Sequence, residues 1–205
     1  MFSAKTYAAR RNMLRTKIGS GIVLFPGNPL SPNNYPNNAY YFRQDSSFLY
    51  YFGLNVPSLA GLIDADTGEE ALYGDDFTVE DIIWTGPQPT LRELGAKVGI
   101  AATYPLSELE KRLRKAISLG RKIHFLPPYR GETKLWLSSL LGIKPALLHD
   151  YKSVDLMFAV AEMREKKSAE EIEEMERAFQ IGYKMHTLAM KMCRCLLYTS
   201  PSPRD

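Results

Sequence analysis

The chain has 205 residues, of which 45% are hydrophobic, 11% aromatic and 24% charged, values typical of a globular protein and unlike those of disordered or fibrous chains. Lys and Arg total 26 against 23 Asp and Glu, and a net charge of +3, scattered along the chain, does not indicate a nucleic-acid partner. No stretch approaches the roughly 20 apolar residues of a membrane span, and no apolar leader opens the chain, so a cytoplasmic location without membrane attachment is the default expectation.

Residues that bind metals or act as nucleophiles are sparse. Cys193 and Cys195 are too close together to join separate elements and lack the partners of a zinc site. His124, His149 and His186 have no second His and no carboxylates at metal-ligand spacing. No Ser-His-Asp order, nucleophile elbow or phosphate loop occurs. The sequence therefore predicts neither a metal site nor a catalytic centre in this chain.

The first predicted element is a helix over Ala4–Ile18. Tyr7 lies with other apolar residues on one side of this helix, whereas Arg10 and Arg11 fall on the opposite, polar side. Next, Ile22–Phe25 is a continuous apolar run, which predicts a strand buried on both faces. The neighbouring glycines precede this strand rather than follow it, which argues against a dinucleotide-binding turn.

A loop rich in Pro and Asn covers Asn28–Ala39, and loops of this length inside compact domains are often functional. After the aromatic stretch Phe48–Phe52, the runs Gly61–Ile63 and Ala71–Tyr73 flank an Asp-Thr-Gly turn and predict a β-hairpin. Turn chemistry explains the nearby acidic residues better than a carboxylate site does. These residues are Asp64, Asp66, Asp75 and Asp76.

Strands and helices continue to alternate in the middle of the chain, which predicts an α/β sheet covered by helices. Further strands are expected at Ile82–Trp84, Val98–Ala102 and Ile123–Leu126, and helices at Leu106–Ser118 and Lys134–Leu141. Apolar residues form one stripe on the helix Leu106–Ser118, so the basic run Lys111–Lys115 is expected to face solvent.

Asp150–Ala161 is interpreted as a crossing between two units, after which Ser168 begins a long helix. Ser168 and Glu171 match a capping box, in which each side chain bonds the backbone N–H of the other residue. Behind the cap, apolar and small residues recur at spacings of three and four, which predicts one uncovered face. They are Ile172, Met175, Phe179, Gly182, Met185, Ala189 and Met192.

Two stretches resemble aminopeptidase P of the creatinase/prolidase superfamily. Phe42–Gly53 (FRQDSSFLYYFG) is similar to the signature of its N-terminal domain, and Glu162–Ile172 (EMREKKSAEEI) to the start of its metallopeptidase domain. The resemblance covers residues 1–194 in order. It implies a three-layer α/β domain of ribonuclease H-like type, with a mixed sheet flanked by helices, over residues 1–158. Residues 159–194 would then be a linker and the first helix of an incomplete pita-bread domain.

The resemblance also implies an activity. Members of the family remove the first residue of a peptide when proline is second, and they assemble as dimers or tetramers. Their pita-bread domain binds two divalent metal ions, expected to be Mn²⁺ here, through two Asp, one His and two Glu. All five ligands lie downstream of the last helix, so the chain is expected to be an inactive N-terminal fragment.

One loop of the N-terminal domain is implied to approach the active site of a neighbouring subunit. When the sequences are aligned on Arg43-Gln44, a position that is acidic in some members falls on the uncharged Asn37. Asn37, Tyr40 and Arg43 are the candidate substrate-proximal or inter-subunit residues. Arg43 can order the loop through forked hydrogen bonds to a carboxylate or carbonyl, and a domain-packing role is an equal alternative.

Three other functions fit the same architecture. The parent protein can be a non-catalytic binding protein that has lost the metal ligands, a prolidase restricted to dipeptides, or a creatinase-type amidinohydrolase. The N-terminal sequence favours aminopeptidase P over the last two.

The last residues, Cys195–Asp205 (CLLYTSPSPRD), resemble a translated sequencing-library adapter. A transposase mosaic-end read encodes these residues in order, whereas a natural Pro-Ser tail would match it only by coincidence. Residues 195–205 are therefore expected to be an artefact. The natural sequence would end near Arg194, and the gene would continue into the catalytic domain.

Overall fold

A computed structural model of the protein describes residues 2–193, so the adapter-like segment lies outside the described residues. The helices are α1 (Ala4–Ile18), α2 (Ser46–Phe52), α3 (Val79–Thr85), α4 (Leu91–Lys97), α5 (Leu106–Ser118), α6 (Gly131–Leu141), α7 (Val154–Glu165) and α8 (Ala169–Met192). The strands are β1 (Ile22–Pro26), β2 (Ala60–Asp64), β3 (Glu70–Tyr73), β4 (Ala102–Tyr104) and β5 (Ile123–His124). No helix within this range is both long and apolar enough to cross a membrane.

The five strands form one mixed sheet in the order β4-β3-β2-β1-β5. The predicted hairpin is confirmed, because β2 pairs with both β1 and β3 in antiparallel fashion, with Phe25 opposite Gly61. The outer strands are parallel to their neighbours, β5 to β1 and β4 to β3. The buried strand predicted at Ile22–Phe25 is β1, which lies inside the sheet between β2 and β5, and this explains why all four residues are apolar.

Alternate strand residues point to opposite faces of the sheet, and each face is covered by helices. Helices α1, α2, α4 and α7 pack on one face, and α5 and α6 pack on the other. The buried strand residues on the first face are Val23, Phe25, Ile63 and Leu72, and those on the second are Ile22, Leu24, Ala60, Leu62, Ala71 and Tyr73. The three-layer α/β fold predicted from the sequence is therefore confirmed.

Helix α1 has the predicted bounds, but the prediction that Arg10 and Arg11 lie on its polar side is wrong. Both arginines are buried, and Arg11 is fully inaccessible to solvent. Arg11 Nε donates to Glu70 Oε2 at 2.7 Å, and its other two nitrogens donate to the Tyr51 and Val98 carbonyls at 3.1 and 3.0 Å. One guanidinium group thus joins α1 to α2, to β3 and to the end of α4. Burial is tolerated because every guanidinium nitrogen has an acceptor.

Helix α2 contains most of the sequence signature and contacts α1 closely. Asp45 caps it by accepting bonds from the Ser47 and Phe48 N–H groups, and Gly53 ends it in a left-handed conformation with φ of 65°. A Cβ on Gly53 would lie 2.2 Å from Cζ of Tyr7 in α1. The residue must therefore be glycine both for its backbone angle and for the approach of the Tyr7 ring.

Two strand predictions are wrong. Ile82–Trp84 belongs to helix α3, whose start is fixed by a reciprocal capping box between Thr78 and Asp81. Three apolar residues in a row are compatible with either a strand or a helix, and the capping box is the signal that favours the helix. Strand β4 begins at Ala102, because Val98 closes the C-terminus of α4 and Gly99, at φ of 76°, turns the chain back. Ile100 N–H then donates to the Gly95 carbonyl, so the buried residues Val98 and Ile100 belong to the C-terminal end of α4 and not to a strand.

The basic run on α5 faces solvent with one exception. Leu109 and Leu113 are fully buried, as an apolar stripe predicts, and Ala116 is buried beside them. Arg112 is only partly exposed, because its guanidinium forms a forked pair with Glu69 at 2.7 and 2.9 Å. A charged residue beside an apolar stripe can thus pack its side chain against the sheet when an oppositely charged side chain is close enough to pair with it.

Most of the segment interpreted as a crossing between units, from Val154 onwards, belongs to helix α7. Leu156, Val160 and Met163 of α7 are buried at helical spacing in the first core, and Ser153 Oγ accepts the Leu156 N–H at the start of that helix. His124 in β5 holds Ser153 in turn, with Nδ1 2.6 Å from Ser153 Oγ and Nε2 3.1 Å from the Ser20 carbonyl oxygen. Since a carbonyl only accepts, Nε2 carries the proton and Nδ1 accepts from Ser153.

The chain divides into two compact units, the first ending at Met163 and the second beginning at Arg164. The second unit contains α8, whose start at Ser168 and capping box with Glu171 are as predicted. No residue of α8 is buried, and the predicted apolar face is exposed, with Phe179 at 68% and Met185 at 66%.

The first prediction concerns Arg11. Replacing it by Met leaves Glu70 without its ion partner and removes the guanidinium donors to the Tyr51 and Val98 carbonyls, so we expect Arg11→Met to lower the free energy of unfolding by about 3 kcal/mol. The control is Lys5→Met, which removes a charge from the exposed side of α1 and is expected to change it by less than about 0.5 kcal/mol. Urea unfolding measures both; equal midpoints for the two variants would refute the role of Arg11.

The second prediction concerns pH. Burial and the positive charge of Lys122 lower the pKa of His124, although the Ser20 carbonyl, Asp155 and Asp66 oppose this shift. The unfolded chain therefore binds a proton that the folded chain does not, and stability falls as the pH drops below the ordinary histidine value of about 6.5. The free energy of unfolding, measured between about pH 8 and pH 5, should decline less steeply in His124→Gln. The exposed His149→Gln should keep the wild-type slope, and an unchanged slope in His124→Gln would contradict the assignment.

The third prediction concerns α8, whose exposed apolar face should make the chain self-associate. Light scattering after gel filtration is expected to give a mass above that of the monomer. Phe179→Glu should restore the monomer, whereas Ile181→Glu, an equally apolar and exposed position outside the predicted face, should not. A monomeric wild-type chain with a protease-resistant α8 would show this expectation to be wrong.

Candidate functional site

The Pro- and Asn-rich loop between β1 and α2 is ordered by its own backbone. Tyr40 N–H donates to the Ser31 carbonyl at 2.9 Å, and Asn33 N–H to the Asn38 carbonyl at 2.7 Å. An isolated antiparallel bridge joins Pro32 and Ala39. The loop therefore folds back on itself as an exposed projection whose two ends meet near Asn28 and Gln44.

A cavity of about 600 Å³ opens beside the base of this loop, entirely within the first unit. It lies between the loop, the residues that lead into α2 and the segment after β5. The lining residues are Asn28, Pro29, Ser31, Tyr40, Tyr41, Phe42, Arg43, Gln44, Ser46, Tyr129 and Arg130. We call this cavity the tyrosine-arginine pocket.

Two buried amides form the floor of the pocket. Gln44 Oε1 accepts the backbone N–H of Asn28 at 2.6 Å, and Gln44 Nε2 donates to the Val56 carbonyl at 2.7 Å. Asn28 Nδ2 donates to the Arg43 carbonyl at 2.9 Å and to the Tyr129 hydroxyl at 3.2 Å. These bonds fix the backbone at Arg43 and the position of Tyr129 relative to each other, so opposite walls of the pocket share one rigid base.

The structure brings two of the three predicted site residues together and leaves the third apart. Tyr40 and Arg43 line the tyrosine-arginine pocket, and both are exposed. Asn37 is also exposed, but it lies at the tip of the loop and outside the lining. Within residues 2–193 the Arg43 guanidinium has no hydrogen-bond or ion-pair partner. The forked contact that would order the loop is therefore absent from the described part of the chain.

Sequence reasoning missed the wall formed by Tyr129 and Arg130. Arg130 Nη2 donates to Ser31 Oγ, and its Nε lies 3.7 Å from Glu132, which places this side chain against the loop. The available signal was the Pro-Pro-Tyr-Arg-Gly segment, which is separated from the end of β5 by two residues, because a turn-rich segment near a strand end often carries functional residues.

The acidic residues set aside in the sequence serve local structure. Asp64 Oδ1 accepts from the N–H groups of Asp66 and Thr67, as turn chemistry predicts. Burial raises the pKa of Asp64, but bonds from Arg121 and from the turn outweigh it and hold the pKa below its usual value. Asp75 accepts the first N–H group of α5, and Asp76 accepts the first N–H group of α4. Each of these two residues therefore stabilises the start of a helix and not, as predicted, a turn.

Residues 2–193 contain no group of three or more His, Cys, Asp and Glu arranged to hold a metal ion. Both His124 nitrogens are engaged in hydrogen bonds, and His186 lies exposed on α8. The two-metal centre implied by the resemblance therefore does not fit these residues, and no catalytic step is assigned to them.

The two sequence motifs that carry the resemblance meet in space. Tyr50 of the first motif donates through its hydroxyl to the Met163 carbonyl at 3.0 Å, and the Tyr51 hydroxyl lies 3.4 Å from Met163 Sδ. Met163 belongs to the second motif and is buried in the first core. Within the first unit, the start of the second motif therefore packs against the first motif through Met163.

Comparison with known proteins gives the same family. A model of the family described as aminopeptidase P, N-terminal domain, matches residues 7–146. The Xaa-Pro aminopeptidase of Escherichia coli is 28% identical over 209 residues, which cover 94% of this chain and 45% of that protein. An uncharacterized peptidase of Saccharomyces cerevisiae is 26% identical over 186 residues, 91% of this chain and 32% of that protein. This chain thus spans less than half the length of these curated relatives.

Solved structures of E. coli aminopeptidase P share the fold. The low-pH form aligns with a TM-score of 0.76 at 24% identity, over 95% of this chain and 46% of that one. The zinc-substituted enzyme in complex with product aligns equally well, with a TM-score of 0.76 over 94% of this chain. The similarity in fold agrees with the family match over residues 7–146 and with the contact between the two motifs. The chain belongs to the aminopeptidase P N-terminal domain family.

Proposed function

We propose that this chain is the N-terminal part of a metal-dependent Xaa-Pro aminopeptidase, which releases the residue that precedes a proline in second position. The observation that carries the proposal is the family match together with 28% identity to the E. coli Xaa-Pro aminopeptidase over nearly the whole chain. The domain organisation follows, with residues 1–158 as the N-terminal domain and residues 159–194 as a linker and the first helix of the metallopeptidase domain.

The proposal places the chemistry outside this chain. A zinc-substituted form of the E. coli enzyme and a substrate complex of a variant are known, which supports a metal centre and a peptide substrate in the parent protein. Two divalent ions, Mn²⁺ in the first instance, would polarise the scissile carbonyl and activate a water there. The described residues of this chain would supply structure and substrate contacts, and by themselves they would be inactive.

Within this chain, Asn37, Tyr40 and Arg43 are proposed to lie close to substrate or at a contact between subunits of a cytoplasmic homodimer or homotetramer. Their support is positional. All three are exposed on or beside one ordered loop, and Arg43 keeps its charge unpaired within residues 2–193. An exposed arginine held on a rigid backbone can meet a group from outside the domain without first breaking a bond.

The fourth prediction tests this assignment on the full-length protein recovered from the same source. Arg43→Gln is expected to raise KM for a Xaa-Pro peptide by about tenfold through loss of a charge-assisted hydrogen bond, with little effect on kcat or on thermal stability. Arg92→Gln, at an exposed position on α4, should match the wild type. A change in stability without a change in KM would instead favour the domain-packing role.

The same protein decides between the remaining functions. Activity that is lost with a chelator and restored by Mn²⁺ would support the proposal, whereas this chain alone should release nothing. A downstream sequence without the two Asp, one His and two Glu would rule out the enzyme and favour the non-catalytic binding protein. Cleavage of Xaa-Pro dipeptides only would favour a prolidase, and amidine hydrolysis a creatinase-type enzyme.

A further inference from the structure

The tyrosine-arginine pocket offers hydrogen-bond donors in excess of acceptors. Two guanidinium groups line it, and no carboxylate is among the lining residues. Glu132 lies 3.7 Å from Arg130 Nε, outside the lining, and offsets part of that charge. Arg43 is left as the principal cation of the pocket, since its guanidinium has no partner within residues 2–193.

The hydroxyl groups add to this excess. The Tyr129 hydroxyl accepts from Asn28, and Ser31 Oγ accepts from Arg130. A hydroxyl has one proton to donate, and in the part of the chain that the structure describes neither proton has an acceptor. Both remain available to a ligand that brings acceptors only, which is the property of an oxyanion.

The rigid floor makes the arrangement a site rather than a set of mobile surface charges. Asn28 and Gln44, both buried, hold the Arg43 backbone and the Tyr129 hydroxyl in fixed relation through bonds of 2.6 to 3.2 Å. Donors that are already placed lose little conformational freedom when a ligand binds.

We propose that the tyrosine-arginine pocket binds the free C-terminal carboxylate of a peptide segment. A guanidinium fork pairs with a planar carboxylate through two parallel bonds, and the tyrosine hydroxyls supply further donors. The rings of Tyr40, Tyr41 and Tyr129 give apolar surface for the residue that carries the carboxylate. The volume of about 600 Å³ accommodates a group of that size.

A nucleic acid fits the same pocket less well. Strand binding requires a track of cations that follows successive phosphates, and its affinity depends on several such contacts. Here two guanidinium groups converge on one cavity, and the net charge of the chain is only +3. One anionic group, rather than a polyanion, matches this charge.

The inference shares Arg43 and Tyr40 with the proposed function but does not depend on peptidase activity. The pocket lies within the first unit, so the carboxylate can be that of a substrate or of a separate protein segment. Its test uses the 205-residue chain, which is expected to have no activity. A failure of the pocket to bind a carboxylate can therefore be distinguished from a failure of the parent protein to show peptidase activity.

The fifth prediction compares N-acetyl-Ala-Phe carrying a free C-terminal carboxylate with the same dipeptide as its C-terminal amide. Calorimetric titration of the full chain should show that the acid binds at least about tenfold more tightly than the amide. Arg43→Gln should abolish this difference, Arg43→Lys should keep part of it, and Arg92→Gln should leave it unchanged. Amide chemical shifts of Arg43 and Tyr129 should move with the acid alone.

Two further titrations fix the ligand class. Inorganic phosphate should compete weakly, and a single-stranded oligonucleotide should not compete. Equal binding of acid and amide, binding of neither, or binding that survives in a folded Arg43→Gln would overturn the proposal. A tight, Arg43-dependent oligonucleotide complex, or phosphate that binds more tightly than the peptide acid, would assign the pocket to phosphate-bearing ligands and overturn it as well.

Discussion

One buried guanidinium group connects the elements on one side of the sheet. Arg11 extends from α1 beneath α2 and reaches a carboxylate at the start of β3 and carbonyls in α2 and after α4. An unpaired cation in this position would be strongly unfavourable, so the surrounding backbone must present its acceptors together. The relative placement of four elements thus depends on one side chain, and the apolar contacts of α1 and α2 form around it.

The signature that identifies the family is mainly a description of local structure. Gln44 holds the entrance of α2 through three hydrogen bonds, Asp45 caps that helix, and Gly53 ends it. Arg43 differs from these neighbours because its backbone is held while its side chain remains exposed. The residues that stabilise this part of the fold and the arginine that is exposed to a ligand are therefore adjacent in the sequence. The backbone of the site is rigid because the neighbouring structural residues hold it.

Much of the architecture was predictable because local pattern and burial agree in it. Strand β1, the hairpin, α1, α5 and the cap of α8 all carry signals within a few residues. The burial of Arg11 was not predictable, because its carbonyl partners are 40 and 87 residues away in sequence. One wall of the pocket was not predictable for the same reason, since Tyr129 is 101 residues away in sequence from Asn28, whose side-chain amide positions it. Periodicity reports which side of a helix is apolar and cannot report which distant acceptors reach it.

The contact between Tyr7 and Gly53 sets how closely the first two helices can approach. Where any other residue would place a carbon, this chain has only a hydrogen atom, and an aromatic ring fills the space. Positions 7 and 53 consequently form one steric unit, in which the ring at position 7 occupies the space that a side chain at position 53 would need. An aromatic ring at position 7 should therefore occur together with glycine at position 53 among proteins that dock these helices in the same way.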